Sequence, residues 1–281
     1  MTLKKLMIGL FLLASCFVFQ AELFAATPVK LKAKSAILMN ATNGKILYSK
    51  NADKCLQPAS LTKILTLYLV HEAINKGKIY PSDRIKISTD AYLTGGSSMF
   101  LEQGSEVELD DLIKGIAVAS ANDGAVAVAE YLGGNVEHFA NMMNAKAREL
   151  GMRHSRFVNP NGLPAKGQIS TARDIARLAR AYIHDYPESL SIHSMPSYTY
   201  RNITQSNNNV LLKQYPDVDG LKTGFVRAAG FHLVVTAKRG NTRLIAVVMG
   251  EKNPKIRARE AAKLLDKGFT MARAKGKRKG V

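Results

Sequence analysis

The stretch Pro58-Ala59-Ser60-Leu61-Thr62-Lys63 decides how the rest of this 281-residue chain is read. Pro58 suits the first turn of a helix, where a missing N–H costs little. Leu61, Ile64, Leu65, Leu67, Tyr68 and Leu69 follow it. Their spacing predicts a helix buried on most sides and ending near Lys76-Gly77. Ser60 and Lys63 lie three apart and share a helix face. A serine hydroxyl becomes a nucleophile when a base takes its proton. A lysine one turn away is such a base only if burial and neighbouring positive charge keep it neutral. Ser60 is the candidate nucleophile and Lys63 its candidate base. Ser-x-x-Lys also arises by chance in a long, lysine-rich chain, so the pair decides nothing alone.

Composition sets the frame. Hydrophobic residues make up 46% of the chain, enough for a real core. The formal net charge of +18 favours polyanions: nucleic acid, anionic lipid or an acidic wall polymer. No zinc-finger spacing, RNA-binding aromatic signature or basic recognition helix is present, which argues against nucleic acid. Nothing calls for a metal or a cofactor. Lys4 and Lys5, the apolar run Leu6 to Phe19, and Ala25-Ala26 read as a secretory signal over residues 1–26. A rival reading is lipidation at Cys16, after Leu13-Ala14-Ser15; the apolar Phe17-Val18-Phe19 that follows disfavours it. The chain is thus expected to be secreted, facing the periplasm or cell wall. Without Cys16, Cys55 has no partner for a disulfide and is expected to be a small buried hydrophobe. The catalytic domain is expected over residues 27–272, with a basic tail over 273–281. Each basic residue of that tail would add at most about 1 kcal/mol at an anionic membrane.

Two apolar runs flank Asn43-Gly44, a hairpin signal that leads into the Ser60 helix. Ile85-Lys86-Ile87 is a short strand candidate, and Leu109 to Ala119 is helical by period. Ser120-Ala121-Asn122-Asp123-Gly124 then separates two apolar helical runs. These polar residues suit a capping turn as well as a site. Helices are expected over 135–150, over 172–184 behind a Thr171-x-x-Asp174 capping box, and from about Ile256 to Met271. Strands are expected at Tyr198 to Ile203, Val210 to Leu212, Phe231 to Ala237 and Leu244 to Met249, the last two joined through Lys238-Arg239-Gly240-Asn241. The order hairpin, helical block, strands, final helix suits one α/β (α+β) domain, an antiparallel sheet covered by helices.

Lys222-Thr223-Gly224 supplies what Ser60 and Lys63 lack. A strand lysine offers charge to a carboxylate, threonine offers a hydrogen bond, and glycine permits close approach. Alone it would also suit an ordinary strand start. Together, Ser60-x-x-Lys63, Ser120-x-Asn122 and Lys222-Thr223-Gly224 stand in the order that marks penicillin-binding proteins and class A β-lactamases. With Gly96-Ser97-Ser98-Met99-Phe100-Leu101, Asn159-Pro160-Asn161-Gly162-Leu163, Ser170-Thr171-Ala172-Arg173-Asp174 and Asp219-Gly220-Leu221-Lys222-Thr223-Gly224-Phe225, the chain resembles the serine-type D-alanyl-D-alanine carboxypeptidases over about residues 33–270.

That resemblance implies an antiparallel sheet with helices on both faces plus a helical block. It implies a peptidoglycan stem peptide as substrate and β-lactams as inhibitors. Ser60 would attack the penultimate D-alanine carbonyl, Lys63 would take its proton, and Ser120 would relay one to the leaving group. Asn122 would position Lys63 and the substrate. Lys222 and Thr223 would bind the terminal carboxylate, beside Gly224. The backbone N–H groups of Ser60 and Phe225 would hold the oxyanion. The chain departs from the family in having Ala121 between Ser120 and Asn122, and Asn207-Asn208-Asn209 where some relatives offer an arginine. Arg259 is a candidate substitute, or else a solvated helix charge. A class A β-lactamase would need a Glu-x-x-Leu-Asn stretch between Asn122 and Lys222, and none occurs. A D,D-endopeptidase shares every residue. A non-catalytic wall-binding protein would have no need of them.

Overall fold

A computed structural model describes residues 30–277, with side chains to residue 274. The expected signal, with Cys16, and the last four residues of the basic tail lie outside the described residues. Residues from Leu31 on form one compact unit. In chain order the unit contains β1 (Ser35–Asn40), β2 (Ile46–Lys50), α1 (Lys63–Asn75), β3 (Arg84–Lys86), α2 (Thr89–Leu93), β4 (Glu106–Glu108), α3 (Leu109–Lys114), α4 (Asn122–Gly133) and α5 (Val136–Glu149). Then follow α6 (Ala172–Asp185), α7 (Ser189–His193), β5 (Ser197–Tyr200), β6 (Ile203–Ser206), α8 (Leu211–Gln214), β7 (Val218–Val226), β8 (Gly230–Arg239), β9 (Thr242–Glu251) and α9 (Pro254–Lys277).

The central sheet is antiparallel, in the order β2-β1-β9-β8-β7. Its strands are near-continuous apolar runs because both faces are covered. Period-2 alternation sorts the residues. Ile37, Met39, Ile245, Val247 and Met249 join the main core, with α6 packed on β1 and β9. Gly268 of α9 instead lies against Leu38 and Leu244 on the other face; a Cβ there would stand 2.6 Å from Leu244. The expected layering, helices on both faces beside a helical block, is what the structure shows.

Several local expectations need correction. Leu211–Gln214 is a helix, not a strand, since the Asn207–Asn209 turn starts it through Asn209 Oδ1, which accepts from the Leu211 N–H at 3.3 Å. Residues 197–206 form a two-stranded hairpin of their own, turning at Arg201-Asn202, both at positive φ. The helix from Leu109 stops at Lys114 and opens into a π turn over Gly115–Ala119. The final helix starts earlier than expected and runs beyond residue 272. Cys55 is exposed, in the loop before the Ser60 turn.

Candidate active site

The Ser60 segment is a 3-10 turn over Ala59–Thr62 that continues into α1 at Lys63. In a 3-10 turn, residues three apart eclipse one another, which brings Ser60 and Lys63 face to face. Ala59 takes φ +50, an uncommon left-handed conformation for a residue with a Cβ. Two distant glycines hold this elbow. Gly162, at φ +85, packs so closely that a Cβ would stand 1.9 Å from the Ala59 carbonyl oxygen. Gly224 of β7 leaves 3.1 Å to the Ser60 nitrogen on the same measure. The exposed edge of β7 therefore closes against the elbow, and its glycine is the residue that permits it.

Lys63 is fully buried, and its amine touches three groups. The Ser60 Oγ lies 3.1 Å away, Asn122 Oδ1 2.6 Å and the Asn161 carbonyl 2.6 Å. Burial pushes the Lys63 pKa well below its ordinary value, and the nearby Lys222 adds to that, while Asp123 opposes it. A neutral amine has two hydrogens and one lone pair. The Asn122 and Asn161 oxygens can only accept, so they take the hydrogens. The lone pair is left for the Ser60 hydroxyl proton.

The remaining residues converge from three segments. Asn122 stands at the start of α4, and its Nδ2 donates to Gly95 O at 2.7 Å, which fixes the amide's orientation toward Lys63. Gly96 allows this approach; a Cβ there would meet Asn122 Nδ2 at 2.6 Å. Ser120 closes the π turn in a left-handed conformation, φ 63 and ψ 31, and lines the same crevice as Ser60. Asp123 is spent on structure. Its buried carboxylate accepts from Ser98 Oγ at 2.6 Å and from the backbone of Met99, Leu101 and Gly124, fixing the 95–101 loop over the site.

The crevice encloses about 670 Å³ and is lined by Ser60, Ser120, Asn122, Thr223, Gly224 and Phe225 among others. Phe225 is exposed at the rim and stacks on Phe231, with ring centroids 4.3 Å apart. Lys222 is placed differently from Thr223. It is buried behind the wall, and its Nζ donates to the Thr223 carbonyl at 3.2 Å. Burial, with Arg257 nearby, brings its pKa down to about 7. Arg259 is exposed, so the solvated reading holds for it. The buried arginine on that helix is Arg257, which also lines the crevice.

Sequence reasoning missed three contributors: the Asn161 carbonyl, the Gly162 contact and Arg257. The 159–163 stretch was visible as a turn-rich loop. Its role depends on Asn159, whose Oδ1 accepts from the Gly162 N–H at 2.8 Å, and on Thr66 Oγ1, which donates to Pro160 O at 2.6 Å. No local pattern encodes those partners. The period of the last helix could have separated Arg257, in register with Ala261 and Leu264 on the buried face, from Arg259.

A serine hydroxyl facing a buried amine, in a crevice between an antiparallel sheet and a helical block, defines a serine acyl-transfer enzyme that uses lysine where others use histidine. Comparison narrows the class. The profile of the D-alanyl-D-alanine carboxypeptidases matches residues 22–253. The D-alanyl-D-alanine carboxypeptidase DacC of Escherichia coli is 44% identical over 267 residues, 91% of this chain and 67% of that protein. The structure superposes on penicillin binding protein 6B from Escherichia coli with a TM-score of 0.84 at 43% identity, covering 88% of this chain and 80% of the other. It superposes on ampicillin-bound Penicillin-Binding Protein D2 from Listeria monocytogenes with a TM-score of 0.79 at 32% identity, covering 86% and 99%. The chain belongs to the D-alanyl-D-alanine carboxypeptidase family and is accordingly a serine peptidase, a hydrolase.

Proposed function

We propose that this chain removes the terminal D-alanine from peptidoglycan stem pentapeptides through an acyl-Ser60 intermediate. The observation that carries this reading is the fully buried Lys63 Nζ, 3.1 Å from Ser60 Oγ and 2.6 Å from each of the Asn122 and Asn161 oxygens. Ser60 Oγ attacks the penultimate carbonyl as its proton passes to Lys63 Nζ. The Ser60 and Phe225 N–H groups hold the oxyanion, each such donor contributing roughly 3 kcal/mol. The C–N bond then breaks, and the leaving amine takes a proton from Lys63, with Ser120 as relay. Water next adds to the acyl carbonyl as its proton passes to Lys63; the bond to Ser60 Oγ then breaks, Oγ takes that proton back from Lys63, and the shortened peptide leaves. Thr223, and Lys222 behind it, favour a terminal carboxylate.

A β-lactam would acylate Ser60 by the same steps and leave slowly; the Listeria relative was solved with ampicillin bound. The substrate implies a place outside the cytoplasmic membrane, in keeping with the expected signal at residues 1–26, followed by a catalytic domain. No helix among the described residues is long and apolar enough to cross a membrane.

The test measures free D-alanine from a pentapeptide ending in D-Ala-D-Ala, for the native protein and Ser60→Ala. Release that is lost in the variant supports the reading. Release from cross-linked dimers but not from the pentapeptide would make the protein an endopeptidase instead.

A further inference from the structure

A buried histidine ties the nucleophile's elbow to the sheet, and the chemistry above leaves it unused. His232 of β8 is fully buried and stands opposite Gly224 in the β7–β8 register, while its neighbour Phe231 stands opposite Phe225. The pairing of β8 with β9 slips between Phe231 and Leu233, and His232 falls in that slip. Gly250, at φ +81, turns its N–H to the imidazole there, and Nδ1 accepts it at 2.9 Å. On the other side of the ring, Nε2 lies 3.0 Å from the Gln57 carbonyl oxygen. An amide N–H only donates and a carbonyl only accepts, so the ring is neutral with its proton on Nε2. Burial agrees, since it brings the His232 pKa down to about 4. The preceding residue, Leu56, exchanges two backbone hydrogen bonds with Ser170, each 2.9 Å long. The run from Gln57 into Ser60 is therefore anchored at two successive residues, one bonded to the segment ahead of α6 and one to the sheet.

We propose that His232 is a positioning residue for the oxyanion site, its Nε2–H fixing Gln57 and hence setting the Ser60 N–H against the Phe225 N–H. The proposal rests on the acyl-enzyme reading and names a residue that serves it without touching substrate. Gly162 and Gly224 permit the elbow's close approach, but a missing side chain only removes a clash. His232 supplies an attraction. It joins the supports of the two donors, because the β7–β8 ladder that carries Phe225 is the ladder that carries His232 itself. Preorganised donors stabilise a developing charge only where they converge on it, and a shift of about 1 Å can cost about 100-fold. Without the tether the Gln57 carbonyl loses its donor, and the loop is free to move toward water.

Two variants separate the two bonds. In His232→Gln the amide nitrogen reaches the place of Nε2 and still donates to Gln57. In His232→Asn the amide oxygen reaches the place of Nδ1 and still accepts from Gly250. Rapid mixing with penicillin gives the acylation rate and, separately, the dissociation constant of the complex that precedes it. His232→Asn should acylate roughly 10- to 100-fold more slowly with that constant unchanged, whereas His232→Gln should stay within about threefold of native. A peptide boronic acid, whose tetrahedral adduct on Ser60 places an oxygen in the oxyanion site, should lose affinity in His232→Asn by a similar factor. Both variants should lose comparable Tm. Rates that follow Tm in the two variants, a native rate in His232→Asn, or a loss confined to the dissociation constant would each overturn the proposal. Nitrogen-15 NMR of the native protein at pH 7 tests it without a variant: His232 should carry its proton on Nε2, and a proton on Nδ1 would overturn it too. A native protein that penicillin does not acylate would sink the acyl-enzyme reading, whereas native acylation with both variants unaffected would sink the positioning role alone.

Discussion

At the scale of the residue, the chemistry turns on a lysine that folding has stripped of water. Burial and the neighbouring Lys222 both favour the neutral Lys63 amine, and Asp123 only partly offsets them. Replacing Lys63 by Met keeps the volume of the side chain and removes the base. Acylation by penicillin should then slow by roughly 10²- to 10⁴-fold, with the thermal transition kept. In the native protein the same amine sets an acid limb. As pH falls through the depressed Lys63 pKa the amine gains a proton, loses its lone pair, and acylation declines. Rapid-mixing measurements of labelling rate against pH check both outcomes. A Lys63→Met protein labelled at the native rate would remove lysine from the base's role.

At the scale of the element, the sheet and the helix that follows it meet at a pair of buried carboxyls. Glu251 ends β9, and Glu260, one turn and a half into the buried face of α9, accepts from the Ala33 N–H at 3.1 Å. Burial, then Glu260, raises the Glu251 pKa to about 7, against the opposing charge of Lys50 and the Lys252 N–H. The sign follows from proton binding. The folded carboxyl keeps its proton to about pH 7 and the unfolded one only to about 4.5, so stability is fullest below 4.5 and is lost as pH rises through 7. Glu251→Gln should therefore gain roughly 3–6 °C in Tm on the native protein at pH 8 and much less at pH 5. Equal shifts at the two pH values in thermal melts would contradict the account. The same scale shows what a sequence discloses. The hairpin at Asn43-Gly44, the paired apolar runs of β8 and β9, and the cap of α6, where Thr171 Oγ1 accepts from the Asp174 N–H at 3.1 Å, were legible because their causes are local. The π turn before Ser120 was not. It depends on Gly115 making room for Met99, where a Cβ would stand 2.4 Å from the sulfur. Asp174 was half legible: its carboxylate serves His154 and Ser155, twenty and nineteen residues back, rather than completing a capping box.

At the scale of the whole molecule, charge is the feature that the chemistry does not explain. The formal net charge of +18 is far more than one carboxylate requires. A field of that size concentrates acidic polymers near the surface and weakens as salt shortens the Debye length. Retention on vesicles containing anionic lipid, or on an acidic wall polymer, should fall steeply between about 50 and 300 mM salt, whereas turnover of a small neutral peptide should barely change. Salt-independent retention would point to a specific surface in place of a diffuse field.

The two glycines that pinch the Ser60 elbow carry a consequence of their own. Residues 60, 162 and 224 are separated by roughly a hundred and sixty positions of chain, yet the nucleophile's backbone is shaped only when all three meet. A nascent or half-folded polypeptide thus holds the right letters and no reactive hydroxyl. Covalent capture by an antibiotic becomes a clock: the first labelled molecule marks the moment at which β7 has closed against the Ser60 turn.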